Sequence, residues 1–419
     1  MFVRFGMFYE LQLPRPWAVD SEQRLVDEAI EQCVLGDEIG LDYAWSVEHH
    51  FLEEYSHCSA SEVFLSAIAA KTENINVGFG IRQIISNYNH PARTAEAVGM
   101  LDLISHGRVQ LGFGEGATRL ELAGFGIKAK RKRAMAMEAA REVADMMVME
   151  PYPGYECEDW SLPCRNILPK PIQKPHPPMW MACTNRDTIR VAAENGLGAL
   201  AFSFVNPEEA MTWSQIYYDT IKSDACVPLG HCVNANLAMV TAFSIHPDRQ
   251  EAVDRGLSGN KFFQYAIGAL VAEDFVPGRS SLWERFAKRE EARLRGEKVT
   301  DVAYGGKPIE KPKTNQNRAP GIGTPKDFLE HMQKLADAGI DQVIFNQQGG
   351  RNKHEHICES LELFSSEVFD HFAEGRDERE ARKAEELAPF IEAALARRDT
   401  RRPMEDDEIP VVVASRPQK

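Results

Sequence analysis

Two adjacent histidines close an apolar run in Val47-Glu48-His49-His50-Phe51. Imidazole changes charge near neutrality, so a histidine at the mouth of a cavity can act as a general acid or base. Neighbouring side chains on a strand end point to opposite sides, so only one of the pair faces such a mouth. As a dipeptide alone, the pair is read as readily as two hydrogen-bonded loop histidines. Further on, the glycines of Gly78-Phe79-Gly80-Ile81-Arg82-Gln83 allow close backbone approach to a planar ligand, an unusual peptide geometry, or simply tight packing. Leu111-Gly112-Phe113-Gly114-Glu115-Gly116 carries glycine at every second position, which leaves room for a flat ring or makes a tight strand-to-loop bend. Cys183-Thr184-Asn185-Arg186-Asp187-Thr188 leads into a helix that Thr184 or Asn185 can cap. The free N–H groups there, with Arg186, make an anion site of the kind that holds a phosphate. Phe345-Asn346-Gln347-Gln348 adds amides that face ligand or solvent.

These segments act together only if the fold brings them to one place. The pattern alternates strands and helices. Strands are predicted over Val3–Tyr9, Asp42–Val47, Ile75–Gly80, Arg108–Phe113, Met179–Ala182, Gly198–Ser203, Val233–Ala242 and Gln342–Asn346. Helices are predicted from Asp20, with Gln23 completing a capping box, and over Ser59–Lys71, Pro91–Ser105, Lys130–Val148, Arg186–Asn195 and Pro325–Ala338. Others start at Pro207, lie within Pro247–Leu270, and carry Ile357, Leu361, Phe364 and Val368 on one face. Such alternation marks a parallel α/β sheet. No glycine-rich phosphate fingerprint joins the first strand to the first helix, which favours a closed (β/α)₈ TIM-type barrel over an open dinucleotide-binding sheet. In a barrel, chemistry gathers at the C-terminal strand ends.

Two stretches break the rhythm. Residues 151–178, rich in proline, read as an extended excursion or hairpin over the barrel, and 273–319 as an irregular insertion and lid candidate. The expected organisation is a barrel over 1–372, with insertions after strands four and seven, then a charged helical or flexible extension over 373–419.

The 419 residues carry a net charge of −15, which disfavours nucleic acid and anionic membranes as partners. No secretion signal or 18-residue apolar span is visible, so a cytoplasmic protein is expected. The eight scattered cysteines read as free thiols, and no metal site is expected among them.

In order along the chain, Val47–Phe51, Asn76-Val77-Gly78, His90-Pro91 with Leu101–Arg108, Leu111–Gly116, and Gly323-Thr324-Pro325 through Ala338–Asp341 to Ser360–Phe364 resemble the bacterial luciferase-like flavin monooxygenases. The likeness spans roughly residues 2–372. It implies a barrel that takes reduced flavin mononucleotide (FMN) from a separate flavin reductase and reacts it with O₂. A flavin C4a-peroxide would then hydroxylate a small organic substrate or oxidise it in Baeyer–Villiger fashion. It implies that His49 is the active-site acid/base, and that a non-prolyl cis peptide lies at Gly80–Ile81 beneath the flavin. It also implies that Thr184, Asn185, Arg186 and Asp187 form the phosphate loop. Glu115 stands where luciferase has a phosphate-binding arginine, so Arg82 and Arg186 are the candidate replacements. Cys183 replaces a luciferase carboxylate, and light emission on an aldehyde is not expected. His50, Phe51, Phe113 and Asn346 would line the substrate pocket. By the same likeness the protein is a homodimer through helices near the second and third strands. Two other readings share this barrel: a deazaflavin-dependent hydride-transfer dehydrogenase, and a non-catalytic flavin-binding subunit.

Overall fold

Strand-forming, almost uniformly apolar runs suit a parallel sheet buried on both faces, and here they close on themselves. The computed structural model describes residues 3–202, 204–297, 299 and 319–413. The strands are β1 (Arg4–Tyr9), β2 (Tyr43–Ser46), β3 (Asn76–Gln83), β4 (Val109–Gly114), β5 (Met179–Cys183), β6 (Gly198–Ala201), β7 (Leu237–Ala242) and β8 (Gln342–Asn346). They follow chain order round a closed parallel barrel, with β1 pairing to both β2 and β8. The eight expected strands are all present, shifted by a few residues at most ends.

Helices α1 (Ser21–Glu38), α2 (Ser61–Ala69), α3 (Pro91–Ile104), α4 (Arg119–Gly124), α5 (Lys132–Val148), α6 (Arg186–Glu194) and α7 (Pro207–Ile221) cover the first part of the barrel. α8 (Arg249–Ala272), α9 (Leu282–Leu294), α10 (Pro325–Asp337), α11 (His354–Phe364), α12 (Asp370–Ala373) and α13 (Arg376–Ala396) follow. Ile357, Leu361, Phe364 and Val368 are buried as their spacing predicts. An aromatic cluster locks this side: Phe243 and Phe345 stack at 4.4 Å, and Phe364 meets Phe5 edge-on at 4.9 Å. Each such pair adds about 0.5–1.5 kcal/mol beyond its burial.

The expected capping box at α1 does not form. Asp20 caps no N–H, and the Gln23 amide donates instead to Asp27 one turn on, at 2.9 Å. α4 was not expected: its six residues are too few for helical periodicity to be read, although Thr118 caps Glu121 N–H at 3.2 Å.

The 151–178 excursion contains an antiparallel hairpin, Tyr152–Glu156 against Ser161–Arg165. It does not cover the barrel mouth. Tyr152 donates to Glu142 of α5 at 2.5 Å, Tyr155 bonds Glu138, and Trp160 meets His90 at 5.4 Å, so the hairpin clasps the outside of α5. Part of the 273–319 lid candidate, residues 298 and 300–318, lies outside the described residues. Its described part folds as α9 on α8, through Phe262 against Trp283 and Phe286. Glu54, in the loop after β2, fixes the start of α9 by accepting the Leu282 and Trp283 N–H groups at 2.5 and 3.2 Å.

Beyond the last barrel helix the charged segment is docked. α13 crosses the strand starts through Arg4–Glu380 (2.6 Å), Arg376–Asp42 and Lys383–Asp341 (2.5 Å). Leu387 and Ala394 are buried beneath it. Arg398 then reaches Asp145 at 2.8 Å, and Arg401 reaches Glu142 at 2.6 Å. Among the described residues no helix is long and apolar enough to cross a membrane.

Candidate active site

The C-terminal strand ends enclose a cavity of about 580 Å³, well within the range of small-molecule sites. β1 contributes Phe8 and, just beyond its end, Glu10; the segments after β2 contribute His49 and Tyr55; β3 contributes Gly80 and Ile81. Phe113 to Ala117, the start of α5, Met181, Thr184, Asn185, Phe202, and Phe263, Ile267 and Val271 of α8 add to the wall.

His49 sits between two carboxylates. Its Nδ1 lies 2.9 Å from Glu121 Oε1, and its Nε2 lies 3.6 Å from Glu10 Oε2. Glu121 is anchored on α4, where it also accepts the Thr118 hydroxyl at 2.8 Å and the His50 N–H at 3.1 Å. Glu10 Oε1 accepts the Tyr55 hydroxyl at 2.9 Å. Burial alone would strip His49 of its proton, but Glu121 and then Glu10 outweigh it and raise the imidazole to about 9. Burial acts on Glu121 in the opposite sense to its partners. The positive His49, with the hydrogen bonds from His49, Thr118 and His50, holds that carboxyl below its usual value. Burial dominates at Glu10, lifting it to about 7 against the pull of His49 and Tyr55. At neutral pH the arrangement therefore holds one fixed ion pair beside a carboxyl balanced between its two forms.

A family model described as luciferase-like monooxygenase matches residues 4–342. The chain belongs to the luciferase-like monooxygenase family. Over 203 residues it is 28% identical to the oxygenase component of a flavin-dependent trigonelline monooxygenase from Acinetobacter baylyi, covering 46% of this chain. The chain spans about half of that relative, 52% of its length. Among solved structures, the oxygenating constituent of 3,6-diketocamphane monooxygenase from Pseudomonas putida, in complex with FMN, superposes with a TM-score of 0.66 at 19% identity, covering 88% of this chain and 98% of that one. A coenzyme F420-dependent tetrahydromethanopterin reductase from Methanopyrus kandleri shares the fold with a TM-score of 0.60 at 20% identity, covering 89% of this chain and 100% of that one. The fold is thus common to proteins whose names specify different flavin-type cofactors.

In this member of the luciferase-like family the cavity gathers His49, Gly80, Ile81, Phe113, Glu115, Thr184 and Asn185 from the residues singled out in sequence. The Gly80–Ile81 peptide is cis. Gly114 and Gly116 border the cavity, but Gly112 serves packing: a Cβ there would lie 2.2 Å from the Phe79 carbonyl oxygen.

The remaining expected site residues lie elsewhere. His50 turns away, as alternation on a strand end requires, and its Nε2 meets Glu48 at 3.0 Å while its ring stacks on Tyr88. Phe51 adopts a left-handed backbone (φ 66°), is 57% exposed, and packs on Phe125. Arg82 points opposite to Ile81 and is neutralised in the protein by Glu62 at 2.9 Å, so it offers nothing to a cavity anion. Arg186 leans outward onto Glu209 of α7 at 2.7 Å, and Asp187 is exposed beside Arg190. Asn346 is buried outside the cavity wall, and neither of its amide atoms has a partner among the described residues.

Among the described residues, the cations that reach the cavity are Lys132 and Arg133, at the start of α5. Lys132 Nζ lies 3.3 Å from Glu115 and Arg133 Nε 3.1 Å, so one carboxylate is shared by two positive groups. Asn185 caps α6 by accepting the Thr188 N–H at 3.0 Å, and Thr188 Oγ1 accepts the Thr184 and Asn185 N–H groups at 3.0 and 3.1 Å. Sequence reasoning missed Glu10, Tyr55, Glu121, Lys132 and Arg133. Extending the strand-end rule to β1 would have found Glu10. The Thr118-x-x-Glu121 spacing, a capping-box pattern, was the signal for Glu121.

Proposed function

We propose that this chain is the oxygenase component of a two-component monooxygenase. It would take reduced FMN from a separate flavin reductase and use O₂ to hydroxylate, or oxidise in Baeyer–Villiger fashion, a small organic substrate. The observation that carries the reading is the union, in one cavity, of an imidazole held between carboxylates with a basic pair that outnumbers its own carboxylate. That donor set suits a ligand with a flat ring and an anionic tail. Ile81, Phe113 and Met181 are the apolar wall residues that would flank the ring, and Lys132, Arg133, Thr184 and Asn185 would hold the phosphate. Reduced flavin, when bound, supplies the electrons that activate O₂.

The protein's share is position and proton control. Glu121 fixes the His49 ring by accepting its Nδ1–H, leaving the second proton of the imidazolium on Nε2, turned toward Glu10 and the cavity. A protonated Nε2 can donate a hydrogen bond, or its proton, to a developing oxyanion. Phe8, Phe202 and Phe263 keep the surroundings apolar, which limits competing reaction with water. By the same reading the protein works as a homodimer, through α2 and α3, whose outer surfaces expose Val63 and Met100.

The test is O₂ uptake with chemically reduced FMN, followed by mass spectrometry for substrate +16 products, in wild type and His49→Ala. Product in wild type and its loss in the variant are expected. Turnover with a reduced deazaflavin without O₂, or equal product from His49→Ala, would overturn the reading.

A further inference from the structure

We infer that Glu10 anchors the substrate, its free carboxylate oxygen accepting a hydrogen bond from a hydroxyl or N–H group on an aromatic ligand that lies against Phe8, Phe202 and Phe263. The inference rests on the cavity being the substrate site proposed above, and it names the class of molecule that enters it.

Alternation along β1 sends Tyr9 toward α1, where its hydroxyl lies 3.2 Å from Gln32, and turns Phe8 and Glu10 into the cavity. Glu10 is 4% exposed. Tyr55 occupies Oε1, whereas Oε2 has no hydrogen-bond partner among the described residues. His49 Nε2, at 3.6 Å, attracts that oxygen electrostatically but lies beyond hydrogen-bond length. A buried acceptor in this state is costly, and a ligand donor removes the cost.

The surroundings select the rest of the ligand. Phe8 lies 5.2 Å from Phe202 and 6.3 Å from Phe263, and Tyr55 lies 5.8 Å from Phe263, forming a continuous aromatic wall beside the carboxylate. Aromatic rings favour tilted and edge contacts of this kind with a further flat ring. His49 and Glu121 cancel in charge, so Glu10 leaves the local balance negative or neutral. That disfavours a permanently anionic substituent at this end and favours a donor, while His49 Nε2 stays available to charge that develops during reaction.

Glu10→Gln is a sharp probe because Tyr55 holds the carbonyl-type oxygen. The substituted amide then turns its NH₂ to the cavity, replacing an acceptor by a donor. The experiment is equilibrium dialysis of 2-naphthol and its methyl ether, 2-methoxynaphthalene, at about pH 8.5, where the Glu10 carboxyl is ionised and can only accept, against FMN-saturated and FMN-free protein, with thermal melting to verify folding. Wild type should bind the naphthol about tenfold or more tightly than the ether. Glu10→Gln should weaken the naphthol by about tenfold while leaving the ether and FMN within twofold. Glu10→Asp, which retracts the acceptor, should give an intermediate preference. Equal binding of the two probes, no binding of either, a preference that survives Glu10→Gln, or a parallel loss of FMN affinity would overturn the assignment. Failure of the monooxygenase reading would appear separately, as absent O₂ uptake with reduced FMN.

Discussion

His49 Nδ1 and Glu121 Oε1 stand 2.9 Å apart although 72 positions separate the two residues in the chain. The contact depends on α4, a short helix inserted between β4 and α5, whose capped first turn presents Glu121 to the end of β2. Replacing Glu121 by Gln keeps the shape and removes the charge that most raises the imidazole. We expect the alkaline limb of the activity profile, or of the His49 ring titration followed by NMR, to move down from about 9. An unmoved limb would show that Glu121 does not set the protonation of His49.

The same shift predicts how stability depends on pH. His49 is raised in the folded protein from its ordinary 6.5 to about 9. Its contribution is therefore complete below about 6.5 and is lost as pH climbs through 9. Glu10, raised from 4.5 to about 7, acts in the same direction over the lower window. The thermal midpoint of wild type should fall between pH 7 and 9 relative to that of His49→Gln, and a constant difference between the two proteins would contradict the shift.

Charge at the cavity supplies a third expectation. Losing a charged hydrogen bond costs about 1.5–3 kcal/mol, or roughly ten- to a hundredfold in affinity. Arg133→Ala and Lys132→Ala should each weaken FMN by that order while leaving riboflavin, which lacks the phosphate, nearly unchanged. Arg186→Ala should do neither, because its guanidinium is turned onto Glu209. Fluorescence titration of both flavins against the three variants checks this.

That contrast marks where the sequence was readable. Gln342–Asn346 was expected and observed as one strand, because an apolar run between a helix end and polar amides leaves little choice. His49 was legible because it follows β2 on the cavity side, and alternation predicted that only one of the two histidines could face inward. Arg186 looked like a phosphate ligand from its place at a helix start, but its partner comes from α7, 23 residues on, and no local pattern announces such a pair. Arg82 failed for the same reason, since Glu62 of α2 claims it. Lys132 and Arg133 sit in an ordinary charge run, and only the turn of α5 onto the β4 end gives them a role.

The dimer proposed through α2 and α3 is open to direct test. Val63 is 67% and Met100 50% exposed on these helices. Charged groups at the core of such an interface are disfavoured. Met100→Glu should shift the protein to monomer in sedimentation or light scattering without lowering its thermal midpoint. An unshifted mass would move the interface elsewhere.

The docked C-terminal helix carries the last prediction. Acidic, arginine-rich composition suggests a solvated extension, yet α13 is tied to the starts of β1, β2 and β8 by Glu380, Arg376 and Lys383. These ion pairs are partly buried, so desolvation offsets much of their attraction, and Asp42 keeps the Phe5 N–H and the nearby Arg4 when Arg376 is removed; the charges therefore set the position of the helix more than its hold. The hold comes from Leu387, which is 3% exposed against the barrel base. Leu387→Ala should destabilise by about 2 kcal/mol, the lower part of the range for buried leucine because the site lies at the edge of the core. Arg376→Ala should cost less than half of that. A larger loss from the arginine than from the leucine, in urea unfolding monitored by tryptophan fluorescence, would reverse this ranking of burial over charge.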